Sequence, residues 1–484
     1  MFPGLTPRFW VFAAFVALVF LLGGGSRSDI ASLVVLRPAC AFFAAYALTV
    51  AAPGDIARVR VPLLLLLALG VWMVVQLIPL PPSVWSGLPG RAALLEIDRL
   101  VGLEGTWRPI SLAPSKTMNS LASLVVPAAA LLLYAVQRND DRRRILGLLV
   151  AVAAVGVLLG LGQFASGGSG PLYFYNFTNL GFPVGFFANR NHNAVFLATM
   201  FVVAGHWFAE HRRLARRGES AIAPALVGGV CLLVLVTLAF SQSRAGLLIG
   251  ILALGMGIAL YVAARRDAAD RDDHHHGNIV LRNWPFVLML VVALGAVLFL
   301  FTQSSTFDRL MSQSLADEIR VQVFPQVSAM ASDNWLAGTG FGSFEYAYRA
   351  YESSDWLNTT YLNNAHDDWL QWVIEGGLPA ILIFLAFCVW LASTCLGHWR
   401  AREANPARTR LVAMALGVLV LLLIASTLDY PLRVPSMMLY AVLMIALVAD
   451  PPEPQAKEKR RSSKAQSEGG SRRSSGPELK GAPQ

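Results

Sequence analysis

Charge is what this chain has little of. Asp, Glu, Lys and Arg make up 14% of its 484 residues, against 55% that are hydrophobic. A balance that far from the soluble range excludes an ordinary water-soluble enzyme and a charged disordered binder alike. Cysteine is scarce as well, and Cys40, Cys231, Cys388 and Cys395 all fall in apolar stretches. No Cys pair stands at ligand spacing beside a His, so neither a disulfide framework nor a zinc site is indicated.

What is abundant is uninterrupted hydrocarbon. A membrane core about 30 Å thick takes roughly 17–25 apolar residues per helix. About twelve such runs are present, at 9–23, 31–52, 61–80, 117–136, 145–164, 191–209, 222–240, 245–263, 285–302, 378–397, 411–428 and 434–449. The first is read as a retained span, because its leading segment carries only Arg8 and no small-x-small cleavage site follows. With the N-terminus inside, 27 of the 39 Lys and Arg residues fall in inner segments and the tail, 11 in outer segments, and Arg37 within a span. The expected fold is an all-α polytopic integral membrane protein, a membrane domain over residues 1–450 with both termini cytoplasmic. Residues 451–484, rich in Pro, Ser, Gly, Lys and Arg, read as a disordered cytoplasmic tail. The formal charge of +9 then reflects topology and contact with membrane lipids, and nucleic acid is not an expected partner.

The outer segments hold the candidates for chemistry. The largest, about 302–377, is long enough to form short helices of its own and closes on Y-L-N-N-A-H-D-D-W-L-Q-W-V-I-E-G-G-L-P, Tyr361 to Pro379. At about 100° per residue, Trp369, Leu370, Trp372, Val373 and Ile374 share one side of a helix, and Asp367, Asp368, Gln371 and Glu375 the other. Asn364 as N-cap, with Asp367 in the capping-box place, puts His366 in the first helical turn. Earlier in the same segment, W-L-A-G-T-G-F-G-S-F sets three glycines at alternate positions, the mark of a tight packed turn. Arg320, ahead of it, reads equally as a surface arginine or a ligand.

Two further arginines open helices. In the short outer turn S-Q-S-R-A-G, Ser243 caps the following span and leaves Arg244 beside free backbone N–H groups. A cation gains nothing from that end of the helix dipole, but an anion bound there meets amides and guanidinium together. Arg190, in F-F-A-N-R-N-H-N-A, repeats the arrangement, with Asn191 or Asn193 as the cap. Arg37 stands inside span two, where an arginine is costly and defaults to a functional role. Asp429 and Arg433, in the short link T-L-D-Y-P-L-R-V-P, either pair with each other or support the site. The run Arg266 to Gly277, with three consecutive His, reads as a solvated loop, since three such neighbours cannot face one ion. Trp107, in the outer segment Pro81 to Lys116, reads as an interfacial anchor.

The order of these motifs, S-Q-S-R-A-G between two spans, then W-L-A-G-T-G-F-G-S-F, then N-N-A-H-D-D-W-L-Q-W-V-I-E-G-G-L-P entering a span, resembles the bacterial O-antigen ligase and polymerase family over roughly residues 180 to 440. The resemblance implies an inverting, metal-independent glycosyltransferase of the inner membrane, needing no cofactor, with its active site on the periplasmic face. Its donor would be a glycan on undecaprenyl diphosphate. The acceptor would be the lipid A core for a ligase, or another lipid-linked glycan for a polymerase. His366 would be the general base or acceptor-orienting residue and Arg244 a diphosphate ligand, with Arg320 matching a loop arginine of the family. Arg190 joins the diphosphate set on its helix-start position, and Arg37, Asp429 and Arg433 are supporting candidates. From a different class, a transporter or flippase for an anionic substrate would also use arginines near spans, but predicts repeated halves and polar mid-membrane residues, and no internal repeat is apparent.

Overall fold

A computed structural model describes residues 5–27, 29–175, 178–214, 222–269, 315–353 and 362–450. Its helices run α1 (Pro7–Leu22), α2 (Ser32–Val50), α3 (Arg60–Val75), α4 (Pro82–Trp85), α5 (Ala92–Leu100), α6 (Pro114–Ser123), α7 (Val125–Ala135) and α8 (Asn139–Ala165). They continue as α9 (Arg190–Leu214), α10 (Ile222–Ser241), α11 (Arg244–Ala269), α12 (Leu315–Asn334), α13 (Phe344–Tyr348), α14 (Asp368–Arg400), α15 (Pro406–Ala425) and α16 (Pro435–Ala449). A two-residue antiparallel ladder, β1 (Pro79–Leu80) on β2 (Arg108–Pro109), accompanies them.

Among the described residues, nine helical segments are long and apolar enough to cross a membrane, and α1 and α16 are shorter apolar helices. The chain is thus a mostly helical, multi-pass membrane protein. The span expected at 285–302, most of the Arg266–Gly277 run and the tail 451–484 lie outside the described residues.

Local signals set the helix ends. Thr6 caps α1 by accepting from the Phe9 amide at 3.2 Å, and Ser243 caps α11 by accepting from the Gly246 amide at 2.9 Å. Asn405 caps α15 ahead of Pro406 at the first helical position. Small residues then set the packing. At the crossing of α9 and α11 a Cβ on Gly205 would meet the Gly257 carbonyl oxygen at 2.3 Å, so the two backbones touch there. Near the start of α11, a Cβ on Gly246 would meet that of Ala194 at 2.3 Å. The N-termini of α9 and α11 are therefore held side by side. Buried Phe12, Phe20, Phe187, Phe196, Tyr440 and Met444 join α1, α9 and α16 in the main core. A smaller core, with Val327, Met330, Phe344 and Ile374, ties α12 and α13 to the start of α14.

Candidate functional site

The glycine-rich turn positions everything around it. Gly338, Gly340 and Gly342 have φ of 74°, 95° and 81°, in the left-handed region that favours glycine. The turn lies against a break in α14, where Gly377 has φ 61°. Thr339 and Gly340 donate to the Ile374 and Glu375 carbonyls at 2.8 and 3.0 Å, and Leu378 donates to Leu336 at 3.1 Å. Buried Gln76 at the end of α3 closes the joint, donating to the Glu375 carbonyl at 2.9 Å and accepting from the Phe341 amide at 3.2 Å. Arg91, 1% exposed, locks the far side by bonding Asn334, Ile110 and Gly338. Burial pulls its guanidinium down to about 10. Sequence reasoning missed both Gln76 and Arg91, since neither stands in a recognisable motif.

The first turn of α14 departs from expectation in one respect. Asp367 is the N-cap, accepting from the Trp369 and Leu370 amides at 2.8 and 3.1 Å. His366 therefore precedes the helix, with φ 53°. Asn364 is spent elsewhere, accepting from Gln371 at 3.2 Å. A left-handed non-glycine residue costs about 1–3 kcal/mol and persists where its surroundings over-determine it.

His366 is held by its ring. Its Nδ1 lies 3.3 Å from Oδ1 of Asp429, and the ring centroid is 5.0 Å from that of Tyr430. Asp429, 3% exposed, also accepts from Asn191 at 3.0 Å and Asn189 at 3.3 Å. Its Oδ2 lies 3.7 Å from Nε2 of buried His192, whose ring meets Tyr430 at 5.3 Å. Burial pushes the Asp429 carboxyl up. The His366 hydrogen bond, the two imidazoles and the Asn191 hydrogen bond outweigh it and hold the group below the usual carboxylate range. His192, Asn189 and Asn191 come from the polar run that opens α9, the one signal that pointed to them. The cap of α9 is Asn189, which accepts from the Asn191 amide at 2.9 Å; Asn191 and Asn193, expected there, instead donate to Asp429 and to the Pro183 carbonyl.

Asp429 and Arg433 do not pair. Arg433 donates through Nε to Asp368 at 3.0 Å and through a terminal nitrogen to Glu375 at 3.0 Å. Enclosure pushes its guanidinium down, but the two carboxylates outweigh that and raise it above its ordinary value. Glu375, fully buried, also accepts from Gln371 at 3.0 Å and the Phe344 amide at 3.3 Å. The polar side of the amphipathic stretch thus faces inward. On the other side, Trp369 packs on Phe384 and Trp372 on Phe341.

Beside this network opens a cavity of about 640 Å³. Its polar end carries Arg37, Lys116, Asn119, Asp368, Glu375 and Arg433; Leu66, Leu69, Phe384, Phe387, Leu422 and Ile445 line the apolar remainder. Asn364 and Asp368, which flank His366, are both in the wall. Arg37 donates to the neutral Asn119 at 2.6 Å, while its buried Nε has no hydrogen-bond partner among the described residues. Its charge is thus balanced by no carboxylate among its hydrogen-bond partners, and it faces a space of ligand size. Arg190 stacks over Phe182 at 4.2 Å, and Arg244 is the first residue of α11. Neither is among the described residues lining the cavity. Arg320 falls in α12, and its side chain lies outside the described residues.

A multi-pass helical membrane protein, with a histidine fixed by a buried carboxylate beside an amphipathic cavity, is the class that fold and site define. Residues 229–385, about a third of the chain, match a family model described as O-antigen ligase. That match supports the O-antigen ligase and polymerase family, and it contains Arg244, Arg320 and His366. Arg37, Arg190, Asp429 and Arg433 lie outside it. No curated protein matches the chain.

Proposed function

We propose that the protein is an O-antigen ligase-like glycosyltransferase acting at the periplasmic face of the inner membrane. The donor is a glycan on undecaprenyl diphosphate, its prenyl tail in the apolar part of the cavity. The observation that carries this reading is the His366–Asp429 pair at 3.3 Å, in which His366 lies between two residues of the cavity wall and inside the family match.

Asp429 accepting from Nδ1 selects the tautomer whose lone pair is on Nε2, as a carboxylate does for a basic imidazole. Nε2 takes the proton of the acceptor hydroxyl, the freed oxygen bonds to the anomeric carbon, and the bond from that carbon to the diphosphate breaks. Undecaprenyl diphosphate leaves with the electron pair. Removing a positioned base costs about 10²–10⁴ in rate. His366→Ala, checked for insertion, is expected to lose transfer on that scale; full transfer by this variant sinks the mechanism.

Two sets of cations compete for the diphosphate. The family resemblance favours Arg244 and Arg320, a helix-start position adds Arg190, and the cavity favours Arg37 with Lys116. Acceptor identity separates ligase from polymerase. Deleting the gene should leave lipid-linked polymer accumulating if the acceptor is the lipid A core, and single lipid-linked repeats if the protein polymerises. Unchanged surface glycan in the deletion strain rules out both.

A further inference from the structure

A second cavity, of about 560 Å³, lies between the segment carrying α4, α5 and β2 and the segment that runs from the end of α12 to Tyr351. Its size is that of a ligand pocket. Tyr346 of α13 lines both cavities, so one short helix forms the partition between them. Leu94, Leu112, Pro114 and Ala347 line part of it, and the polar groups set among them are fixed. Tyr351 donates to Asp333 at 3.1 Å and accepts from Asn334 at 3.2 Å. Arg108 is held by Asp98 at 2.5 Å, and its guanidinium lies 5.7 Å from the Trp85 ring centroid.

These walls discriminate among ligands. A prenyl chain finds the Asp333 carboxylate and the Arg108 guanidinium interrupting the hydrocarbon it needs. A free anion finds Arg108 already neutralised by Asp98 and meets the Asp333 carboxylate. A neutral polyhydroxyl ligand suits fixed donors and acceptors of both signs beside aromatic rings, which pack apolar faces while their polar atoms bond outward. We propose that this cavity is a carbohydrate-binding cleft that holds the sugars of a glycan beyond the one being joined, with Tyr346 marking the passage to the reacting end. The assignment of carbohydrate rests on the glycosyltransferase reading above.

Ala93 and Ala350 line the cleft from opposite walls and are exposed, so Ala93→Trp and Ala350→Trp fill it without disturbing the core. The probe is a set of oligosaccharides of one to three repeats, released by mild acid from the producing cell's own surface polysaccharide. Binding to the full-length protein in nanodiscs is read by saturation-transfer NMR, in the His366→Ala background so that no turnover intervenes. The expected result is binding that strengthens from one repeat to three and weakens at least tenfold in both tryptophan variants, whose thermal unfolding matches the parent. Absence of binding to the parent, or binding that neither variant alters, overturns the cleft. Transfer by His366→Ala overturns the catalytic reading separately and leaves this binding result standing or falling by itself.

Discussion

Replacing Asp429 with Asn keeps the side chain's shape and removes its charge from a pocket where three donors converge. The carboxylate accepts from His366, Asn191 and Asn189 at 3.3, 3.0 and 3.3 Å and faces His192 at 3.7 Å. An amide has one accepting oxygen, so its NH₂ group must point at either the imidazole or the asparagine donors. Hydrogen bonds to a charged group contribute about 1.5–3 kcal/mol each. Losing one, together with the fixed Nδ1–H tautomer, costs the transition state about 3 kcal/mol, or roughly 100-fold in transfer rate. The assay is single-turnover transfer in membrane vesicles, with the parent, His366→Ala, Asp429→Asn or the double variant each in excess over lipid-linked donor. Because Asp429 acts through His366, the double variant should be no slower than His366→Ala alone. Asp429→Asn within threefold of the parent, or a double variant that multiplies both losses, refutes the dyad. Stability carries the same signature. A carboxyl held below its ordinary 3.8 stabilises the fold fully above that value and loses the contribution as pH falls below it. The thermal-stability gap between parent and Asp429→Asn should therefore be full at pH 7 and narrow below about pH 4.

Three other outcomes follow from the geometry. Arg433→Ala strands the Asp368 and Glu375 carboxylates, and removing one partner of a buried ion pair costs about 3–5 kcal/mol; thermal unfolding in detergent should show a large drop, and an unchanged midpoint contradicts the network. Gly377→Ala forces a side chain into φ 61° with its Cβ 2.6 Å from the Gly338 amide nitrogen, so it should lower stability by about 2 kcal/mol or more. Arg37→Ala should raise KM for the lipid-linked donor at least tenfold with kcat nearly unchanged, as loss of uniform binding does; an unaltered KM moves the diphosphate to Arg244.

What was readable in the sequence was what short-range physics decides. Among the described residues, eleven apolar helices fall where runs of hydrocarbon lie, and Ser243 caps α11 because a hydroxyl three residues before a free amide has a partner within reach. Alternating glycines read as a packed turn because left-handed backbone costs glycine so little. His366 was legible as a candidate, but not its conformation. Asn364 and Asp367 both qualify as caps by composition, and the choice fell to Asp367 because Asn364 is drawn to Gln371, itself recruited by Glu375.

The exchange of partners at Asp429 and Arg433 shows where such reasoning stops. A spacing of four brings side chains together on an α-helix, yet this link is no α-helix. Pro431 opens a three-residue 3-10 turn, Pro431–Arg433, whose tighter winding turns Arg433 off the face a helix would give it. Arg433 is left to two carboxylates of α14, and Asp429 to the donors that open α9 and to His366. The charges could not have been exchanged back at little cost: pairing them with each other would leave Glu375 buried without its cation and His366 without its acceptor. Both contacts span about sixty residues, with membrane helices between. The arrangement that sets His366 against Asp429 is therefore a property of how α9, α14 and the link into α16 meet, to which no local pattern in the chain corresponds.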